Sequence, residues 1–306
     1  MGYDLWVLYN CEEGSMNTDP TLLAVLAHPD DESFGIGGTL AYYSRRGVKT
    51  NLICATRGEA GDVDENYLHG FQRIADRRES ELRCAAEKLG LSGVFFLGYR
   101  DSGMAGSADN HHPKALVGQP LEQVAAEIAV FIRKLQPQIV VTFDPIGGYR
   151  HPDHIAIHNA TVEAFRIAGD VDFIDNEQQP AFKSQKLYFQ TIPRGFLRFV
   201  VRMMRLFGRD PRKVGRNKDI DLSSIAEVDF PIHAIIDYRL VADIRDDASR
   251  CHASQAGGSL TGGIFGPLRR IFAAKELYMR AVPEPNGKVE RDLFEGIWTL
   301  PGLKRG

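Results

Sequence analysis

Apolar runs of strand length that alternate with helical patterns constrain the fold of this 306-residue chain more than any other feature. Thr21 to Ala27, Lys49 to Thr56, Gly93 to Leu97 and Gln138 to Phe143 read as buried strands. Helices are expected after a Gly-rich segment at Thr39 to Tyr43, then at Phe71 to Leu89, Leu121 to Leu135 and Asp153 to Ile167. Strands that are apolar along their whole length are covered on both faces, and their alternation with helices makes the connections βαβ crossovers. The expected class is α/β: a Rossmann-like, mostly parallel sheet with helices on both faces, plus a smaller C-terminal α+β portion. After Gly169 the pattern changes to strands at Lys186 to Thr191 and Asp229 to Ile236, followed by a helix near Arg239 to Ser254. Residues 1–20 read as an N-terminal extension or tag, 21–170 as the Rossmann-like core, and 171–306 as a C-terminal portion that completes the same domain.

Open parallel sheets bind ligands beyond the carboxyl ends of their strands, and two clusters of acids and histidines fall there. His28-Pro29-Asp30-Asp31-Glu32 follows the first strand. His151-Pro152-Asp153-His154 follows the Gln138 to Phe143 strand across the loop from Asp144 to Arg150. Imidazole nitrogen and carboxylate oxygen suit borderline divalent metals, and a catalytic zinc site takes three protein ligands with one open position. In the first cluster, His28 and one of Asp30 and Asp31 supply ligands, leaving the other carboxylate as a base. The bland alternative is an Asp-rich turn that caps a helix through Asp31 or Ser33. In the second cluster, one of His151 and His154 binds metal while the other faces substrate. His158, four residues after His154, shares its helical face and competes as a ligand, but a satisfied helix histidine is the simpler reading.

Composition excludes more than it selects. A formal net charge of -3 gives no global attraction to nucleic acid. Cys11, Cys54, Cys84 and Cys251 have no CxxC spacing, so neither a thiolate zinc site nor a disulfide framework is expected, and a reducing cytoplasm fits. No apolar run approaches the roughly 20 residues of a membrane span. A basic insert near 194–218 interleaves arginines with Phe196, Leu197, Phe199, Val200 and Val201. Such a helix either lies on an anionic membrane surface or packs its apolar side on the core or on a sister subunit. Packing is the preferred reading, and it leaves a homo-oligomer open. The stretch from Gly257 to Gly263 lacks a preceding strand and a P-loop lysine, and reads most simply as a mobile loop, which could close over substrate only if it sits near the carboxyl edge of the sheet.

The two clusters resemble the paired signatures of the LmbE-like (PIG-L) zinc deacetylase superfamily. The likeness extends through Thr56-Arg57-Gly58-Glu59-Ala60-Gly61 and the segment from Leu97 to Met104, with a later echo at Cys251-His252-Ala253-Ser254-Gln255. It implies an enzyme that removes the acetyl group from an N-acetylglucosamine-type small molecule. An amidase that cleaves a mycothiol-like thiol conjugate and a non-catalytic metal-binding protein are the rival classes. Carried over by position, the resemblance makes His28, Asp31 and His154 ligands of Zn2+, or of Fe2+, which the same donor set accepts. Asp30 becomes the general base and a protonated His151 the acid and oxyanion partner, oriented by Asp153. Tyr149 would help polarise the substrate carbonyl, while Arg78 and Asp101 would hold sugar or cyclitol hydroxyls. A solvated charge on a helix is the competing reading of Arg78.

Overall fold

The computed structural model describes residues 19–192, 194–214, 221–255 and 274–297. In chain order the elements are β1 (Thr21–Leu26), α1 (Asp31–Gly35), α2 (Gly37–Ser44), β2 (Lys49–Thr56), α3 (Ile74–Leu89), β3 (Gly93–Tyr99), α4 (Leu121–Leu135) and β4 (Ile139–Phe143). A one-turn element, α5 (Gly147–Arg150), then leads into α6 (Pro152–Ala168) and β5 (Lys186–Thr191). The remainder is α7 (Arg194–Leu206), α8 (Leu222–Ala226), β6 (Ala234–Asp237), α9 (Ala242–Cys251) and β7 (Lys275–Val282).

Among the described residues the strands form one sheet in the order β3-β2-β1-β4-β5-β7-β6. The run from β3 to β5 is parallel, whereas β7 pairs antiparallel with both β5 and β6. Every residue of β1 and β4 is buried. Alternate side chains of a strand point to opposite faces, so this burial requires cover on both. The helices supply it in two groups, α4 with α6, and α2 and α3 with α9. The helix α4 shows why: Val124, Ala125, Ile128, Ala129, Phe131, Ile132 and Leu135 recur at helical spacing and are all buried. The strand order reverses between β1 and β4, so the loops that leave these two strands open a crevice at the carboxyl edge.

Three expectations need correction. The strand from Asp229 is shorter, being β6, and the helix from Arg239 begins with a 3-10 turn before α9. The strand β7 was not anticipated, because Lys275, Glu276 and Arg280 break its apolar pattern. Two of these charges are buried against partners. Glu276 accepts the Gly38 and Thr39 amides at 2.9 and 2.7 Å, which caps the start of α2, and Arg280 binds Glu290 at 2.6 Å. Finally, Cys84 on α3 and Cys251 at the end of α9 are joined by a disulfide, with their Cα atoms 5.8 Å apart. They stand 167 residues apart, and only the packing of α3 on α9 brings them together. For this pair the cysteine argument for a reducing compartment does not hold. No helix among the described residues is long and apolar enough to cross a membrane. The Gly257 to Gly263 stretch and residues 1–18 lie outside the described residues.

Candidate active site

The loop after β1 separates two adjacent carboxylates. Asp30 has φ 130°, a region that non-glycine residues rarely enter and that folds retain mainly where function needs it. Its neighbours hold it there. The Asp30 amide donates to Glu32 Oε2 at 2.9 Å, and the Asp30 carbonyl accepts the amides of Ser33 and Phe34 at 3.1 and 2.9 Å. The Asp31 carboxylate folds back to accept the His28 amide at 2.8 Å. The Asp30 carboxylate faces Arg78 instead, 3.1 Å from Nη2.

The loop after β4 sets two imidazoles. Asp144 Oδ1 accepts the amides of Ile146 and Gly148 at 3.1 and 2.8 Å, and its Oδ2 meets Arg194 at 3.3 Å. Gly147 has φ 64°, and a Cβ there would stand 2.7 Å from that of His154, so the turn takes glycine. The Gly147 carbonyl lies 3.2 Å from His154 Nδ1, while the His154 ring stacks on Phe143 with centroids 3.9 Å apart. Nδ1 therefore carries the proton, and the Nε2 lone pair faces inward. His151 caps α6: its Nδ1 accepts the Asp153 amide at 3.2 Å, which places the proton of the neutral ring on Nε2.

The two loops meet around His28. Its Nε2 lies 3.2 Å from Asp153 Oδ2 and 3.5 Å from Asp101 Oδ1, so this nitrogen donates and Nδ1 is left as an acceptor. That acceptor stands 3.2 Å from His154 Nε2. Asp31 bridges the pair, with Oδ2 3.5 Å from His28 Nδ1 and Oδ1 3.3 Å from His154 Nε2. Two imidazole nitrogens and the Asp31 carboxylate thus converge on one point, where either a proton on His28 or a bound cation would hold them together. Ligand atoms 2.0–2.1 Å from a tetrahedral ion lie about 3.3 Å apart, so the residues present fit a bound divalent metal. Two further groups also bring their ligand atoms within 4.8 Å of one another: His28 with His151 and His154, and His28 with Asp101 and Asp153. In the last of these the carboxylates sit on the donating nitrogen of His28, which makes them supports for a ligand.

The electrostatics divide the site further. Burial pushes the Asp30 carboxyl up to about 6, reinforced by Asp31 and opposed by Arg78, His252 and His28. For Asp31, burial is outweighed by His154 and His28, which hold the carboxyl well below the usual range. Burial likewise opposes charge on His28, but Asp101, Asp153 and Asp31 overcome it and raise its pKa, so the surrounding acids demand a positive charge at this point. Asp101 is lowered in turn: burial works against its ionisation, and His28, the Gly103 amide and Arg78 prevail. His151 is pushed down to about 2 by burial and by the positive fields of His28 and His154. This favours a neutral ring, with its proton on Nε2, over the expected protonated His151. Burial and nearby acids raise the Tyr149 phenol, which stays an O–H donor; its ring centroid lies 5.8 Å from that of His151 and 4.9 Å from that of His154.

Two other roles change. Asp153 Oδ2 meets His28 and accepts the Ser102 amide at 2.8 Å, its Oδ1 has no hydrogen-bond partner among the described residues, and it is the Asp153 backbone amide that reaches His151. Arg78 is not a solvated helix charge. It is 4% exposed and donates to the carbonyls of Pro29 at 2.7 Å and Gly58 at 3.1 Å. A Cβ on Gly58 would fall 2.0 Å from its Nη1, so glycine makes room for the guanidinium. His158 donates to or accepts from nothing at the site: its Nδ1 meets the Phe143 carbonyl at 2.8 Å. Sequence reasoning missed Glu32 and His252 as a working pair. Both are fully buried, 2.6 Å apart, and Glu32 holds the Asp30 amide with its other oxygen. The echo around His252 was the available signal, but its contact spans 220 residues.

The fold and site together define an open α/β protein with a cation-seeking His/Asp centre at its topological switch point. Residues 23–165 match the family model described as PIG-L: GlcNAc-PI de-N-acetylase. The 1D-myo-inositol 2-acetamido-2-deoxy-alpha-D-glucopyranoside deacetylase of Acidothermus cellulolyticus is 34% identical over 293 residues, which are 90% of this chain and 95% of that protein. The chain belongs to the PIG-L de-N-acetylase family. Among solved structures, the N,N'-diacetylchitobiose deacetylase of Pyrococcus horikoshii superposes with a TM-score of 0.57 at 20% identity, over 85% of this chain and 83% of that one. The 4-carboxy-2-hydroxymuconate hydratase of Pseudomonas putida gives 0.58 at 18% identity, over 87% and 97%. A deacetylase and a hydratase share this fold, so the reaction has to be argued from the site.

Proposed function

We propose that this chain is a metal-dependent hydrolase that removes the N-acetyl group from an N-acetylglucosamine-type substrate, with a glucosaminyl inositol as the first compound to try. The observation that carries the reading is the convergence of His28 Nδ1, His154 Nε2 and Asp31 within 3.2–3.5 Å, beside an Asp30 whose carboxyl is raised to about 6. His28, Asp31 and His154 would hold the metal, with Zn2+ the first candidate and Fe2+ the second. When bound, such an ion supplies Lewis acidity and lowers the pKa of water toward 7.

The protein's own groups do the rest. Asp30, ionised near neutral pH, accepts a proton from the attacking water. His151 Nε2–H donates to the oxygen that gains charge as the acetyl carbonyl is attacked, and the Tyr149 hydroxyl is a second donor beside it. The proton held on Asp30 then passes to the amine nitrogen as the C–N bond breaks, so amide and water become acetate and free amine. Arg78 tempers the burial of Asp30, and Asp101 and Asp153 fix the tautomer of His28.

The test is acetate release from a panel of N-acetylglucosaminyl compounds by metal-loaded protein, with metal content measured after anaerobic purification. Asp30→Asn should keep its metal and lose activity about 10²–10⁴-fold, the usual contribution of a general base. Equal rates for wild type and variant across the panel would end the deacetylase reading.

A further inference from the structure

The helix α7 has two apolar sides, and among the described residues one of them is packed. Leu197 and Val201 are buried against Ile225 and Ala226, with Tyr149 and Leu222 packed on the same cluster. At 100° per residue, Phe199 and Leu206 lie roughly 180–200° around the helix from Leu197. They are 58% and 71% exposed, and Phe207 at the helix end is 76% exposed. Arg202, Arg205 and Arg209 are exposed close to them. Between residues 194 and 213 stand six arginines and one lysine; Arg194, Arg198 and Arg212 pair with Asp144, Asp229 and Asp210, and the positive charge of the outer face rests on Arg202, Arg205 and Arg209. The end of the helix opens a shallow cleft of about 410 Å3 lined by Arg205, Gly208, Arg209, Asp210, Pro211 and Arg212.

We infer that the outer face of α7 docks on an anionic lipid bilayer. Phe199, Leu206 and Phe207 enter the boundary between headgroups and acyl chains. Arg202, Arg205 and Arg209 lay their stems along the same surface and present guanidinium groups to lipid phosphates, the geometry guanidinium suits best. A second copy of the chain is a poorer occupant, since pairing this face with itself would set arginine against arginine. The inner face of α7 touches Tyr149 through the shared cluster, which places the docking helix beside the candidate site. Packing on the core, the preferred reading of the sequence, accounts for one side of the helix and the bilayer for the other.

Sedimentation with vesicles tests this, comparing phosphatidylcholine alone with an equimolar mixture of phosphatidylcholine and phosphatidylglycerol. The full chain should pellet with the mixed vesicles and not with the neutral ones, and raised salt should release it. R202E/R209E should weaken binding by about tenfold or more. F199S/L206S, with charge unchanged, should also lose binding to the mixed vesicles. F199W should shift its emission to the blue when mixed vesicles are added, which reads the contact in a variant that keeps an aromatic ring. Thermal melting of each variant should match wild type. Failure of wild type to prefer the anionic vesicles would overturn the inference, as would unchanged binding by F199S/L206S or an unmoved F199W spectrum. A concentration-dependent dimer dissolved by F199S/L206S, without vesicle binding, would assign the face to a second copy instead.

Discussion

The loops after β1 and β4 reach the same crevice from neighbouring parallel strands but bring opposite kinds of chemistry. The β1 loop carries charge: Asp30 and Asp31 are consecutive, yet one is pushed up to about 6 and the other held well below the carboxylate range. What separates them is direction, since Asp31 turns toward two imidazoles and Asp30 toward a single guanidinium within a buried setting. The β4 loop contributes imidazoles, set beside the buried carboxylates of Asp144 and Asp153. Gly147 and Asp153 fix the tautomers of His154 and His151 through backbone contacts, and His151 is pushed down to about 2. A base has to be able to take up a proton near neutral pH, whereas an oxyanion donor only has to hold one. Environment, more than residue type, assigns those tasks.

The largest effect should come from breaking the meeting of the two loops. His154→Ala is expected to lose bound metal and all acetate release, while His158→Ala, four residues on, keeps both; metal analysis of the two purified variants decides it. Retention by the first and loss by the second would overturn the ligand set. A smaller effect is expected behind the ligand. Asp153→Asn should lower metal affinity about 10–100-fold, because the carboxylate fixes the tautomer of His28. If affinity is unchanged and only turnover falls, Asp153 serves His151 after all. The smallest effect concerns the base. Arg78→Met removes the guanidinium 3.1 Å from Asp30 and should raise the carboxyl further, so the acid limb of kcat/KM moves to higher pH. An upward move of about one pH unit lowers the rate about twofold near pH 7 and about fivefold near pH 6, since only the ionised carboxylate works. A raised KM with an unmoved limb would place Arg78 on the substrate instead.

Much of this was legible in the chain. The apolar runs of β1 and β4 announced buried parallel strands, and the helices Leu121–Leu135 and Pro152–Ala168 lie where periodicity put them. The two clusters marked the crevice because a short loop after a strand must emerge at its carboxyl end. What stayed hidden has one feature in common: it depends on pairs remote in sequence. The charges of β7 obscured a strand because their partners, Gly38, Thr39 and Glu290, could not be foreseen. The disulfide of Cys84 with Cys251 and the hydrogen bond of Glu32 with His252 both await the docking of α9 against the first half of the chain. Arg78 looked solvated because local pattern cannot show that α3 turns that residue under Asp30.

The sequence by itself therefore determined the sheet, the edge where the site lies, and the stock of histidines and carboxylates available to it. Those follow from hydrophobic periodicity and residue chemistry, which act over a few residues. Only the tertiary structure decided which carboxylate faces Arg78 and which faces the two imidazoles, which nitrogen of each histidine faces inward, and that the Asp153 carboxylate meets His28. Those are set by burial and by charges a few ångströms away in space but as much as 220 residues away in sequence.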